Sequence, residues 1–371
     1  MNRVLVYGLK DPVGGVEKVV LEYTKSMVAQ FDITFDFLVF SENFSLESEL
    51  NSLGCRVITL PVRRKDPAGY KAAINQIFQN NEYCAVWGNY SGLTNIDILT
   101  LAKQHNIPIR IAHSHVSQLY WGSPIMKYVV HFLHAYNKLR IDKYASHYFS
   151  CSNVSGRFMF PRKVYERIIP VHNAIDATRF KPDENTRNQM RENLGISPDT
   201  LVVGHVARLC EVKNQDFLLK IIAQFKKEQH NAKLLLIGDG ELYEHLNNLA
   251  KELKIDDMVI FTGNRTDVAQ LMQAMDVYVL TSFSEGLSVS AVEAQASGIP
   301  CVLSSAVSDE TNISGAVKFV SLNDPLDVWT RTISQQGKAR IENAQEKIKD
   351  AGYEISSAAK QLYNVLIGDV Q

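Results

Sequence analysis

A chain of 371 residues is long for a single hydrophobic core and natural for two domains. Its 46% hydrophobic and 21% charged residues, with a net charge of −1, exclude a disordered chain and offer no basic surplus for nucleic acid. Five scattered cysteines (Cys55, Cys84, Cys151, Cys210, Cys301), with no CxxC and no Cys/His cluster, point to a reducing compartment and away from zinc.

No apolar run nears the ~20 residues of a membrane helix. With no leader ahead of the first strand, the expected location is the cytoplasm. The charge is uneven: residues 1–180 carry 20 Lys+Arg against 14 Asp+Glu, net +6, and residues 181–371 carry 19 against 26, net −7.

In chain order, residues 3–8 (RVLVYG) read as a strand, followed by a glycine loop and a helix with apolar positions at Val16, Val19, Val20, Tyr23 and Met27. Gly14 and Gly15 let backbone approach a ligand without an intervening Cβ. The loop lacks G-x-G-x-x-G, which argues against a nicotinamide cofactor. Strands follow at 36–40, 55–60, 85–88 and 109–112, separated by helical or loop segments, so a mostly parallel sheet with helices on both faces is expected. The last of these runs into His113-Ser114-His115, at the strand end where open α/β sheets bind ligands.

Residues 120–144 interleave aromatic and aliphatic side chains with Lys127, Lys138, Arg140 and Lys143. Most such helices pack on a sheet, yet this composition also suits a membrane-surface face carrying Trp121, Ile125 and Phe132. With the Arg63-Arg64-Lys65 cluster and the net +6, it makes an anionic membrane surface an expected partner of the first half. Strands at 147–151 and 168–171 lead to His172-Asn173-Ala174-Ile175-Asp176, read as the linker.

A second unit opens with a strand at 201–206. Arg208 and Lys213 fall on the loop before a helix that starts near Asn214 or Gln215, where two cations and a helix N-terminus suit a diphosphate. Strands at 234–237, closed by Gly238-Asp239-Gly240, and at 259–261, followed by the loop of Arg265, come next. Residues 277–304 then read strand, polar loop, helix, strand. Ser288 or Ser290 caps the helix, the N–H groups after Gly286 point to the strand end, and Glu293 lies where a carboxylate suits a ribose diol. A strand at 317–320, a charged helical stretch at 327–350 and an apolar helix at 355–367 complete the chain.

The run 285–300, EGLSVSAVEAQASGIP, resembles the donor-site signature of retaining GT-B glycosyltransferases of family 4 (glycosyl transferases group 1), which includes capsular-polysaccharide synthases. Gly14-Gly15-Val16-Glu17 matches the family's GG-x-E, and Gly204 with Arg208-Leu209 and Lys213-Asn214 matches its phosphate-clamping pattern.

The resemblance implies an α/β GT-B fold: two Rossmann-like domains facing a central cleft, at 1–176 for the acceptor and 177–352 for the nucleotide-sugar, with a C-terminal helix, 353–371, returning to the first domain. It implies a catalytic set of His115 or His113, Glu285, Arg208 and Lys213. The implied donor-binding set is Gly14, Gly15, Gly238, Arg265, Gly286, Leu287, Ser288 and Glu293. It implies a UDP-sugar or related nucleotide-sugar donor, a saccharide or lipid-linked acceptor and retained anomeric configuration; the charge split adds the expectation of a cytoplasmic protein peripheral at the inner face of the cell membrane.

No Asp-x-Asp occurs in the chain, so no metal and no other cofactor is expected. A glycoside hydrolase also uses paired carboxylates but needs no phosphate clamp. A catalytically silent GT-B partner subunit and a nucleotide-sugar epimerase would share the same architecture.

Overall fold

The computed structural model describes residues 2–116, 119 and 124–369, without the side chains of residues 124 and 125. The chain forms two compact units, Met1–Ala174 with Ile355–Gln371, and Ile175–Glu354.

The first unit is built on seven parallel strands: β1 (Asn2–Tyr7), β2 (Ile33–Val39), β3 (Arg56–Thr59), β4 (Ala85–Tyr90), β5 (Ile109–Ser114), β6 (His147–Ser150) and β7 (Ile168–Pro170). Their order is β3-β2-β1-β4-β5-β6-β7. β2 and β4 are buried along their whole length, as strands covered by helices on both faces must be. Asp36, inside β2, is tolerated because Arg56 Nε donates to it at 2.8 Å and Tyr83 Oη at 2.6 Å.

The helix Ile355–Ile367 belongs to this unit although it ends the chain. Its Ala359, Leu362 and Leu366 join the core with Val19, Tyr23 and Met27 of the helix Gly15–Gln30. Tyr363 stacks on Phe31 with ring centroids 4.0 Å apart.

The second unit carries six parallel strands, β8 (Leu201–Val206), β9 (Ala232–Ile237), β10 (Val259–Phe261), β11 (Val277–Leu280), β12 (Cys301–Ser304) and β13 (Val317–Val320), in the order β10-β9-β8-β11-β12-β13. Each sheet reverses its winding once, between β1 and β4 and between β8 and β11. Those reversals open the crevices in which doubly wound sheets bind ligands.

Two helical expectations change. The stretch 327–350 is two helices, Leu326–Gln336 and Ala344–Asp350, because the backbone between them crosses to Gly298, whose carbonyl accepts the Ile341 N–H at 2.8 Å. Of the segment 120–144, residues 120–123, Trp121 among them, lie outside the described residues. The rest is the helix Pro124–Arg140 and a 3-10 turn, Ile141–Lys143.

Candidate functional site

In the second unit β8 runs into residues 207–210, a 3-10 turn (Glu211–Lys213), Asn214 in the left-handed region at φ 52°, and the helix Gln215–Lys227. Three bonds lock this loop: Gln215 Nε2 donates to the Arg208 carbonyl at 2.9 Å, the Leu209 N–H to Asp239 O at 3.0 Å, and Thr281 Oγ1 to Asn214 O at 2.9 Å. Gly238 lies at φ +131°, and a Cβ there would sit 2.1 Å from the Ala207 carbonyl oxygen. Its glycine is required for the two loops to close on each other.

The loop after β11 brings the second half of the cluster. Ser304 Oγ donates to the Ser282 carbonyl at 2.6 Å, and Ser308 N–H to the Glu285 carbonyl at 3.1 Å. Ser288 caps the helix Val289–Ala296 by accepting the Ala291 N–H at 3.4 Å, while Ser290 turns to the Tyr278 hydroxyl at 2.7 Å. Gly286 is exposed with open space around it, and Leu287 is buried.

Lys213 Nζ and a Glu285 carboxylate oxygen form an ion pair across 72 positions of sequence. Their side chains are only 19% and 21% exposed, so screening by water is reduced. The other predicted residues have different surroundings. Arg208 is 71% exposed and pairs with Glu241 at 3.0 Å. Arg265 makes a two-pronged pair with Asp267, at 2.8 and 2.7 Å. Glu293 is half-buried on its helix. The structure therefore joins Lys213 to Glu285, leaves Arg208 at the rim, and places Arg265 on the loop after β10. Glu241, which carries no signal in the sequence, becomes visible only once the loop after β9 folds beside the one after β8.

In the first unit the two predicted histidines separate. His113 is fully buried, with Nδ1 accepting the Trp87 indole N–H at 3.2 Å. His115 is half-buried, its Nε2 lies 2.8 Å from Asn89 Oδ1, and its ring is 4.0 Å from that of His113. The Asn89 amide nitrogen donates to Tyr7 O at 3.4 Å, so Oδ1 is the acceptor. His115 accordingly carries its proton on Nε2 and keeps Nδ1 as an acceptor. Burial pushes His113 well below the ordinary imidazole value and His115 down to about 3, so both are neutral at neutral pH.

Gly14 does not offer its N–H outward. Glu17, 6% exposed, accepts it at 2.9 Å and accepts the Lys10 N–H at 3.0 Å with its other oxygen. A carboxylate of the chain thus occupies the N-terminal end of the helix, where an anion would otherwise sit. Gly15 is exposed and unobstructed. Beside this loop, at the β1/β4 reversal, lies a cavity of about 110 Å³ lined by Tyr7, Gly8, Phe40, Asn89, Tyr90 and Asn95. Asn95 Nδ2 lies 3.3 Å from both the Tyr7 and the Tyr70 hydroxyls.

Two doubly wound parallel sheets, each with a polar cluster at its winding reversal, define an α/β protein of the class whose ligands bind at strand ends. Residues 186–317 match the family of glycosyl transferases group 1. The protein named "Putative glycosyltransferase EpsF" of Bacillus subtilis (strain 168) is 31% identical over 367 residues, covering 95% of this chain and 93% of its own. The UDP-Gal:alpha-D-GlcNAc-diphosphoundecaprenol alpha-1,3-galactosyltransferase of Escherichia coli is 29% identical over 142 residues, 37% of this chain and 36% of that one. Anabaena HepE, crystallised in complex with UDP, superimposes with a TM-score of 0.77 at 18% identity, over 99% of this chain and 100% of that one. The chain belongs to the group 1 glycosyl transferases, and its two Rossmann-like units have the GT-B fold.

Proposed function

We propose that this protein is a retaining family 4 glycosyltransferase that moves a sugar from a UDP-sugar to a saccharide or lipid-linked saccharide, in the making of an exopolysaccharide. The Lys213–Glu285 pair at the β8/β11 reversal carries this reading. UDP is carried over from the HepE complex and from the Escherichia coli relative, whose name includes a UDP-sugar.

On this reading the donor diphosphate draws Lys213 away from Glu285. The ammonium, the rim cation Arg208 and the N–H groups after Gly286 stabilise the negative charge of the leaving group. Glu285, released, orients the sugar hydroxyls. Glu293 holds the ribose diol, and the loops of Gly238 and Arg265 border the nucleoside. His115 serves as a neutral hydrogen-bonding group, and the donor phosphate takes the acceptor proton. Fixed side-chain cations make a divalent metal unnecessary. The first unit receives the acceptor at the inner face of the cell membrane, where the enzyme is peripheral.

The test is a thermal-shift titration with UDP, GDP and ADP, followed by transfer assays with UDP-sugars with and without EDTA. UDP alone should raise the melting temperature by linkage, and chelator should leave transfer unchanged. Preference for another nucleotide would refute the donor assignment. Loss of activity in EDTA with rescue by Mg²⁺ or Mn²⁺ would refute the side-chain-only account of leaving-group stabilisation.

A further inference from the structure

Among the described residues, five of the ten most exposed large apolar side chains lie on one helix, Pro124–Arg140: Tyr128, Val129, Phe132, Tyr136 and Leu139. Tyr128, Phe132, Tyr136 and Leu139 are spaced by four, four and three positions, which puts them in one stripe. Their exposures are 78%, 70%, 48% and 71%, a degree that a folded chain ordinarily avoids for a run of large apolar groups. Phe132 and Tyr136 lie nearly parallel, at 11°, and the Arg140 guanidinium sits 4.7 Å from the Tyr136 ring, so the ridge is ordered.

The opposite face fixes this orientation. Val130, His134 and Asn137 are buried, His134 Nδ1 accepts the Leu93 N–H at 3.1 Å, and Asn137 Nδ2 donates to the Leu93 carbonyl at 2.7 Å. Both backbone groups of Leu93 are thus held by one helix, which cannot roll to hide its stripe without orphaning them. The stripe is exposed because the helix is locked.

We propose that this stripe is a docking surface for an anionic lipid membrane. Residues 124–140 contain no Asp or Glu and carry Lys127, His131, Lys138 and Arg140. Lys138 is tied to the Arg157 and Phe158 carbonyls at 2.9 and 2.6 Å, and Asp142, on the following turn, is paired with Lys163 at 2.5 Å. A second copy of the chain is a poorer occupant. A two-fold interface sets a patch against itself, and here that would bring cation against cation with no acid to relieve them. A lipid surface takes aromatic rings at headgroup depth and cations among its phosphates. The Arg63-Arg64-Lys65 cluster contributes less than its sequence suggests, since Arg63 pairs with Asp97 at 2.6 Å.

The surface also connects to the proposed acceptor side. Leu93 sits in the loop whose Ser91, Gly92, Thr94 and Asn95 line the cavity at the β1/β4 reversal. The helix that lies on lipid is the one that holds this wall, which suits an acceptor whose lipid portion stays in the bilayer. This last step rests on the glycosyltransferase reading; the docking surface does not.

The test is co-sedimentation with vesicles of phosphatidylcholine alone and of phosphatidylcholine with phosphatidylglycerol, at low and high salt. The protein should bind only the mixed vesicles and be released by salt. The double variant Phe132→Ser/Leu139→Ser should lower the bound fraction about tenfold with an unchanged melting temperature, since both side chains are exposed. Lys127→Gln should lower it roughly fivefold.

Wild-type protein left in the supernatant with mixed vesicles at low salt would overturn the proposal, as would binding unaffected by the double variant. A dimer in light scattering that Phe132→Ser dissolves would assign the face to a second copy and overturn it too. A parallel UDP thermal shift separates the two readings. Vesicle binding without a UDP shift upholds the surface against the enzyme, and a UDP shift without vesicle binding sinks the surface alone.

Discussion

The two units share one architecture, and the ends of their sheets are equipped oppositely. At the β8/β11 reversal the second unit gathers a partly buried Lys213–Glu285 pair, a rim pair of Arg208 with Glu241, and an uncovered loop before the helix Val289–Ala296. At the β1/β4 reversal the first unit presents tyrosines, Phe40, Asn89 and Asn95, and Glu17 already occupies the end of its first helix. A site of paired charges suits a ligand that enters as a diphosphate and must leave with more charge. An aromatic, amide-lined site suits a neutral ring with hydroxyls. On the proposed reading, the same fold separates donor from acceptor by what each sheet end does with its helix terminus.

The comparison breaks first at Lys213. Lys213→Ala should cost about 2–4 kcal/mol of transition-state stabilisation, roughly a 30- to 900-fold loss of turnover, without unfolding the protein. Wild-type turnover in that variant would remove the charged site from the mechanism. Arg208→Ala should cost less, about tenfold, because Arg208 is 71% exposed and screened by solvent.

In the first unit Glu17→Ala frees two backbone donors. It should lower stability by about 1.5–3 kcal/mol in urea unfolding while leaving UDP affinity unchanged. A changed UDP affinity would mean that the two ends are not independent.

The last comparison is in the response to acid. Burial lowers His113, His115, His134, His147 and His172 in the first unit, but only His205 in the second. Each folded imidazole sits below its unfolded value of 6.5, so below that pH the unfolded chain binds more protons and stability falls. The loss runs down to about 3 for His115 and about 4 for His205, at up to about 1.4 kcal/mol per pH unit for each group. Segment-resolved hydrogen exchange at neutral and mildly acidic pH should show the first unit opening before the second. The reverse order would show that carboxylates, not histidines, set acid lability.

Much of this was legible in the sequence. Short apolar runs ending in glycine or polar loops marked every strand of both sheets to within a few residues, most plainly the inner strands, whose burial on both faces leaves little room for polar side chains. The site was legible as loops at strand ends. It was not legible as partners: Lys213 meets Glu285 only through the adjacency of β8 and β11, and Arg208 meets Glu241 only through that of β8 and β9. His113 and His115 are two apart on a strand that ends between them, so periodicity puts them on one face and does not say which is covered. Asn89, which orients His115, lies opposite His113 in the register of β4 on β5 and had no local signal of its own. Glu17 stands out in the sequence only as part of a motif, and its work as the helix's own anion needs the folded loop.

The helix Ile355–Ile367 has a consequence for how the chain is made. Ribosomal synthesis delivers residues 1–174 first, yet their core lacks Ala359, Leu362 and Leu366 until residue 367 has emerged. The second unit, continuous from Ile175 to Glu354, has all its strands in hand earlier. The core of the first unit is therefore completed only after the last strand of the second has been made. Until then Val19, Tyr23 and Met27 lack these partners, and they form the kind of apolar helix face that chaperones shield.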